Sequence, residues 1–153
     1  MIAEFQGEYR WLSNFWECPV FIDGLLYKSS EAAFQAYKTI YLPDRQRFTQ
    51  MAAGESKRAG RTVDLREDWE EVKVAIMYRI LMCKFTQNLE LLDKLLDTNN
   101  EFLIEGNNWR DKFWGVCNDE GQNWLGRLLM AVRDRLRDCR TLAVIDTSFY
   151  QNM

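Results

Sequence analysis

Glu31, Gln35 and Lys38 bring a carboxylate, an amide and an ammonium together in one short stretch, S-S-E-A-A-F-Q-A-Y-K from Ser29 to Lys38. Read as a helix, the stretch places these three groups within about 60° of one another. Ala33, Phe34, Ala36, Tyr37, Ile40 and Tyr41 then cover the opposite arc. A solvated helix spreads polar groups over a broader face. A narrow polar stripe in an apolar helix instead points to charges delivered into a cleft, where acid–base or nucleophilic chemistry becomes available. The alternative is the solvated face of a half-exposed helix.

Other chemistry-bearing residues surround this stripe in sequence. Lys57, Arg58 and Arg61 cluster about Gly60, and guanidinium groups beside a closely approaching backbone suit phosphate. Arg10, Ser13 and Asn14 offer a second anion contact and base-edge hydrogen bonds, or else a turn that satisfies its own backbone. Trp11, Trp109 and Trp114 lie in irregular segments beside Asn, Asp or Gly, so a planar base could stack there, Trp114 first. Trp69 and Trp124 recur at helical spacing and are expected in the core, with Trp69 also kept among the substrate contacts. Asp68 is expected chiefly to cap the helix starting at Trp69, and Asn123 the last helix, while Gly126 permits close packing or phosphate approach. Both Asp68 and Asn123 stay candidate binding residues, as does Asp111. Glu105 and Asp111 are secondary acids.

Composition narrows the options. The 153 residues fit one domain with a single core. Twenty basic and 23 acidic residues give a net charge of -3, which disfavours a general nucleic-acid coat. Histidine is absent, so His-based catalysis and His-containing metal sites are excluded. Cysteines 18, 83, 117 and 139 have neither zinc nor disulfide-framework spacing and read as free thiols in a reducing cytoplasm. The N-terminus has no signal-peptide pattern, and no apolar run is long enough to span a bilayer. Cytoplasmic location, no membrane association, no metal and no cofactor are the expectations.

The elements that must position these groups follow from patterning. Residues 2–28 read as extended and turn-rich, with a hairpin turning at Asp23-Gly24 and Pro19 arguing against a central strand. A helix begins at Ser29 or Ser30, and Pro43 marks an end or a new start. Residues 44–58 read as one short helix. Trp69, Val72, Ile76, Ile80 and Cys83 predict a helix to about Lys84. Leu89–Leu96 is a short helix broken at Thr98-Asn99-Asn100, and 101–121 is a loop rich in Asn, Trp, Asp and Gly. A last helix over 123–140 buries Trp124, Leu125, Leu128, Leu129, Val132 and Leu136, leaving 141–153 as an extended edge or tail.

Several ordered motifs now carry a family resemblance across roughly residues 5–140. They are F-Q-G-E-Y-R-W-L-S-N-F, D-G-L-L-Y-K-S-S-E-A-A-F-Q-A-Y-K, L-R-E-D-W-E-E-V-K, I-M-Y-R-I-L-M-C-K-F-T-Q-N and W-G-V-C-N-D-E-G-Q-N-W-L-G-R-L-L-M-A-V-R. The chain resembles the YbiA-like, or NADAR, proteins. That resemblance implies a compact, mainly α fold with a small N-terminal β element. It also implies hydrolysis of N-glycosidic bonds to ribose 5-phosphate, as in early riboflavin-pathway intermediates, or to an ADP-ribosyl group on guanine. Some relatives carry a histidine just after the helix glutamate, where this chain has Ala32.

Cleaving a ribosyl C1–N bond leaves positive character on the sugar and requires a proton on the departing nitrogen. Glu31 is the first candidate to stabilise that cation or orient water, the alternative being an ion pair with Lys38 or the helix dipole. Lys38 either binds phosphate or ribose, or attacks C1 as an amine, or is a structural ion-pair partner. The expected substrate is a phosphorylated ribosyl small molecule. ADP-ribosylated guanine is the alternative, with nucleic acid bound only as a modified substrate, and a non-catalytic ADP-ribose binding module is the competing reading.

Overall fold

The computed structural model describes residues 1–151, with side chains placed as far as Leu142. The expected hairpin forms, β1 (Glu17–Ile22) pairing antiparallel with β2 (Leu25–Ser29). Asp23 and Gly24 both take positive φ, 49° and 82°, which matches a two-residue turn to the twist of its strands. Cys18, Val20 and Ile22 point inward while Glu17, Pro19 and Phe21 face out. The register is irregular between Glu17 and Val20, where Pro19 has no N–H to give. Upstream, the extended reading needs a correction: Gly7–Leu12 is a short 3-10 helix that buries Trp11 and Leu12.

α1 (Ser30–Ala36) starts where Ser29 Oγ accepts the Ala32 N–H at 3.1 Å, and all seven of its residues are buried. It is shorter than expected. Lys38 lies in the turn after it, its N–H bonded to the Gln35 carbonyl, and Ile40 and Tyr41 are exposed rather than part of a buried arc. The single helix expected over 44–58 is two, α2 (Leu42–Phe48), with Pro43 in its first turn, and α3 (Ala53–Ala59). The chain turns between them because Phe48 and Met51 both enter the core.

α4 (Trp69–Gln87) is the central element and packs against β1, α1, α5 and α6. Its innermost face is Met77, Ile80, Leu81 and Phe85, with Val72, Ile76 and Cys83 half-buried on the flanks. Each fully buried side chain of this size contributes about 1.5–3 kcal/mol. α5 (Leu89–Asp97) buries Leu91 and Leu95 and stops before Asn99 at φ 54°. α6 (Trp124–Gln151) buries Leu125, Leu128, Leu129, Val132 and Leu136 and leaves Trp124 half-buried. It continues through 141–151, so the expected edge or tail there is helix instead; 152–153 lie outside the described residues.

Residues 101–121 form an irregular loop tied by isolated bridges, Ile2 to Leu103, Gly106 to Val116 and Cys117 to Glu120. A Cβ at Gly126 would come within 2.1 Å of the Leu103 carbonyl oxygen, so this glycine serves close packing of α6 on the loop. The expected mainly α architecture with a two-stranded β element is what the chain adopts. Cys18, Cys83, Cys117 and Cys139 are all free thiols, and no helix among the described residues is long and apolar enough to cross a membrane.

Candidate active site

A cavity of about 610 Å³ lies where α1, α3, α4, the 101–121 loop and the N-terminal segment meet. Its size falls among ligand-binding sites. Glu31, Phe34, Gln35 and Lys38 come from α1 and the turn after it, Lys57 from α3, and Trp69, Lys73 and Met77 from α4. Glu105, Trp109, Asp111 and Trp114 come from the loop, and Arg10, Ser13, Asn14, Phe15 and Trp16 from the N-terminal segment.

The local structure explains how Glu31 gets there. Its N–H donates to the Asn14 carbonyl at 3.0 Å, and Ser30 Oγ donates to Asn14 Oδ1 at 2.9 Å, so α1 is fixed to the 13–14 turn at its first residues. That turn is held in place by Lys84, which donates to the carbonyls of Trp11 and Ser13 at 2.8 and 3.0 Å. Glu31 itself is 8% exposed and accepts from Gln35 Nε2 at 2.7 Å. A Cβ at Gly60 would stand 1.9 Å from Gln35 Oε1, so only glycine leaves room for the amide that orients Glu31.

Electrostatics set the two ends of the stripe apart. Burial pushes the Glu31 carboxyl up, while the Gln35 hydrogen bond and the charges of Lys57 and Lys38 pull it back down and Asp111 adds to the rise. Burial pulls the Lys38 ammonium down, Glu31 opposes this, and Arg61 and Lys57 add to it. Lys38 makes no side-chain hydrogen bond or ion pair among the described residues, so the alternative of a structural Glu31–Lys38 ion pair does not hold; Glu31 pairs with Gln35. Opposite them, Phe34 stacks tilted on Trp69 with centroids 5.0 Å apart and meets Trp114 edge-on at 5.3 Å. Trp69 is thus both core and cavity wall, 6% exposed.

The structure brings Glu31, Lys38, Arg10, Ser13, Asn14, Gln35, Lys57, Trp69, Asp111 and Trp114 to one cavity, and leaves Trp11, Arg58, Arg61, Asp68 and Asn123 outside its wall. Asp68 makes no side-chain cap on α4; its carboxylate is taken by Arg66 through two hydrogen bonds of 2.6 and 3.0 Å. The Asn123 side chain does not serve α6 but bridges the loop, accepting from the Glu105 N–H at 2.9 Å and donating to the Leu103 carbonyl at 2.9 Å. Arg61 is exposed and reaches the site only through its field on Lys38. Ser13 Oγ is occupied by the Phe15 N–H, the self-satisfied turn foreseen as the alternative. Asp111 Oδ1 takes the N–H groups of Phe113 and Trp114 at 3.1 and 2.9 Å, which fixes Trp114. Trp11 stacks edge-on against Phe85 in the core instead of lining the cavity.

Sequence reasoning missed Phe15, Trp16, Lys73 and Met77 as wall residues, and no local pattern marks them. Lys84 had a signal: it is a charge inside the apolar stripe of Met77, Ile80, Leu81 and Phe85. Among the described residues no three Cys, Asp or Glu side chains converge as a metal site requires.

Known proteins are similar to this chain in sequence and in overall fold. The NADAR domain model matches residues 3–137. N-glycosidase YbiA of Shigella boydii serotype 4 (strain Sb227) is 35% identical over 133 residues, covering 84% of this chain and 82% of that protein. N-glycosidase Npun_R5314 of Nostoc punctiforme is 33% identical over 144 residues, 90% of this chain and 92% of its own. Riboflavin biosynthesis protein VVA0006 of Vibrio vulnificus is 35% identical over 135 residues, 85% of this chain but 36% of that longer protein. The NMR structure of the E. coli protein YbiA superposes with a TM-score of 0.81 at 33% identity, covering 92% of this chain and 85% of that one.

Proposed function

The chain belongs to the NADAR family, and from that membership we propose that it hydrolyses the N-glycosidic bond of a phosphorylated ribosyl substrate, such as an early riboflavin-pathway intermediate. Similarity to N-glycosidases and to riboflavin biosynthesis proteins supports a glycosidase role on ribosyl or nucleotide substrates. The observation that carries the finer reading is the convergence of buried Glu31 and unpaired Lys38 beneath an aromatic wall. Glu31 stabilises the cationic anomeric carbon and takes a proton from the attacking water. Arg10, Lys38 and Lys57 on the wall offer cationic contacts suited to a phosphate. The Phe34–Trp69–Trp114 wall suits a planar base. The lowered ammonium of Lys38 also supports attack of its neutral amine on C1 of the ring-opened N-riboside, where the C1–N bond breaks, the base leaves as its amine, and a Lys38 imine forms that water then hydrolyses. Free thiols accord with a cytoplasmic setting.

The second reading is removal of ADP-ribose from guanine. The partly exposed Phe15, Trp16 and Trp109 at the cavity favour it, because they extend the stacking surface toward solvent. Chromatography of purified protein incubated with riboflavin-pathway ribosyl intermediates and with ADP-ribosylated guanine decides between them. Release of ribose 5-phosphate supports the first and release of ADP-ribose the second. Tight ADP-ribose binding with turnover of neither makes the chain a binding module. On the productive substrate, Glu31→Gln is expected to lower kcat by about 10²–10⁴-fold with binding retained, and unchanged turnover removes Glu31 from the chemical step. Borohydride trapping of Lys38 during turnover distinguishes the imine from simple phosphate binding.

A further inference from the structure

A further carboxyl, Glu105, enters the cavity wall from the loop. Glu105 is held by its backbone on both sides. Its N–H donates to Asn123 Oδ1 at 2.9 Å, and its carbonyl accepts the Val116 N–H at 2.9 Å. A Cβ at Gly115 would come within 2.2 Å of the Glu105 carbonyl oxygen and 3.0 Å of its Cγ, so the side chain is confined from that direction too. Its Oε2 is buried without a hydrogen-bond partner among the described residues. A buried, unpartnered carboxylate oxygen is costly, and a neutral carboxyl costs less. The Glu105 residue lines the cavity, so a bound ligand there can supply the acceptor that a neutral carboxyl lacks.

We propose that Glu105 is the general acid of the hydrolysis, giving its proton to the departing nitrogen as the C1–N bond breaks. This deepens the glycosidase reading and rests on it. The bonding pair leaves with nitrogen, which takes the Glu105 proton. Water adds its oxygen to C1 and gives a proton to the Glu31 carboxylate. Glu105 regains a proton and Glu31 loses one to solvent, which closes the cycle. The ionisable groups acting on Glu105 come from several elements. Burial first, then Asp111 of its own loop and Glu31 of α1, hold it up at about 7 against Lys57 of α3 and Lys84 of α4. Burial pushes Glu31 up as well, but Glu31 differs in receiving a hydrogen bond from Gln35 and a pull from Lys57 and Lys38, which oppose that rise. The Gln35 N–H on Glu31, against an unpartnered oxygen on Glu105, is the geometric difference that gives Glu31 the base role and Glu105 the acid role.

A general acid must be protonated to act, so kcat/KM of the unaltered protein is expected to fall as pH rises through about 7. Glu105→Gln on the productive ribosyl substrate is expected to lower kcat by about 10²–10⁴-fold, to leave KM little changed, and to abolish that alkaline limb. A limb that persists in Glu105→Gln, or an unchanged rate, overturns the assignment. If Glu105→Gln does not fold, as read by its melting temperature, Glu105→Asp decides: a displaced limb supports the assignment and an unmoved one overturns it. Absence of any ribosyl cleavage by the unaltered protein overturns the glycosidase reading and this one with it. Cleavage with an unmoved limb overturns only the role of Glu105.

Discussion

Under the turn that carries Trp11 and Ser13, Lys84 is wholly buried and donates to two carbonyl oxygens; in the cavity, the half-buried Lys38 ammonium has no hydrogen-bond or ion-pair partner among the described residues. Burial pulls both ammonium groups down, Lys84 to about 8. What separates them is whether the surrounding protein satisfies the charge. The Lys84 region is complete without a ligand and fixes the turn against which α1 begins. The Lys38 region is incomplete, which is the condition of a site awaiting substrate. Burial of a lysine is thus no mark of function by itself; an unmet buried charge is the better one.

The comparison breaks most visibly by swapping the loss. Lys38→Met is expected to cost about 10²–10⁴-fold in kcat while leaving the melting temperature unchanged or raised, because a desolvated cation is removed. Lys84→Met is expected to do the reverse. It strands the buried Trp11 carbonyl at about 1–3 kcal/mol, while the Ser13 carbonyl keeps the Trp16 N–H, and the loss is read as a lowered denaturant midpoint. pH sharpens this. The unfolded chain holds the Lys84 proton to 10.5 and the folded one only to about 8. The unfolded state therefore binds more protons between those values, and stability rises with pH across that window and falls as pH drops through 8. Lys84→Met is expected to flatten that rise. If both substitutions instead shift stability alike and spare turnover, the distinction between the two lysines fails.

Smaller effects follow at the edge of the site. Gly60→Ala drives a Cβ into the Gln35 amide, with an expected loss of about 1–3 kcal/mol in chemical denaturation. Displacing Gln35 also turns Glu31, so kcat is expected to fall by up to about 10²-fold; unaltered kinetics would show that the amide does not orient the carboxylate. Asp68→Ala removes a solvent-facing partner of Arg66 and is expected to change neither kcat nor melting temperature, since exposed pairs of this kind contribute little. A large kinetic loss there would return Asp68 to the site.

Local signals carried much of the architecture. Asp23-Gly24 specified the hairpin through its left-handed backbone, Ser29 capped α1, and apolar spacing announced α4, α5 and α6. Where local signals were silent, expectation failed. Thr49-Gln50-Met51-Ala52 contains neither proline nor glycine, yet the helix breaks there because Phe48 and Met51 both find the core. Residues 141–151 carry no stop signal and remain helical. Capping expectations failed at Asp68 and Asn123 because stronger partners, Arg66 and the loop backbone, took those side chains.

The sequence by itself determined which chemical groups this protein can use: a chain without histidine must rely on carboxyls and amines, and the Glu31-to-Lys38 spacing brings one of each together. Only the tertiary structure decided which of them share a solvent-poor space. Glu105 and Trp114 reach Glu31 through the folding of a loop far along the chain, and the field each carboxyl feels depends on neighbours no local pattern names. Short-range backbone preferences are written residue by residue, whereas desolvation and charge coupling depend on distances that exist only once the chain has closed on itself.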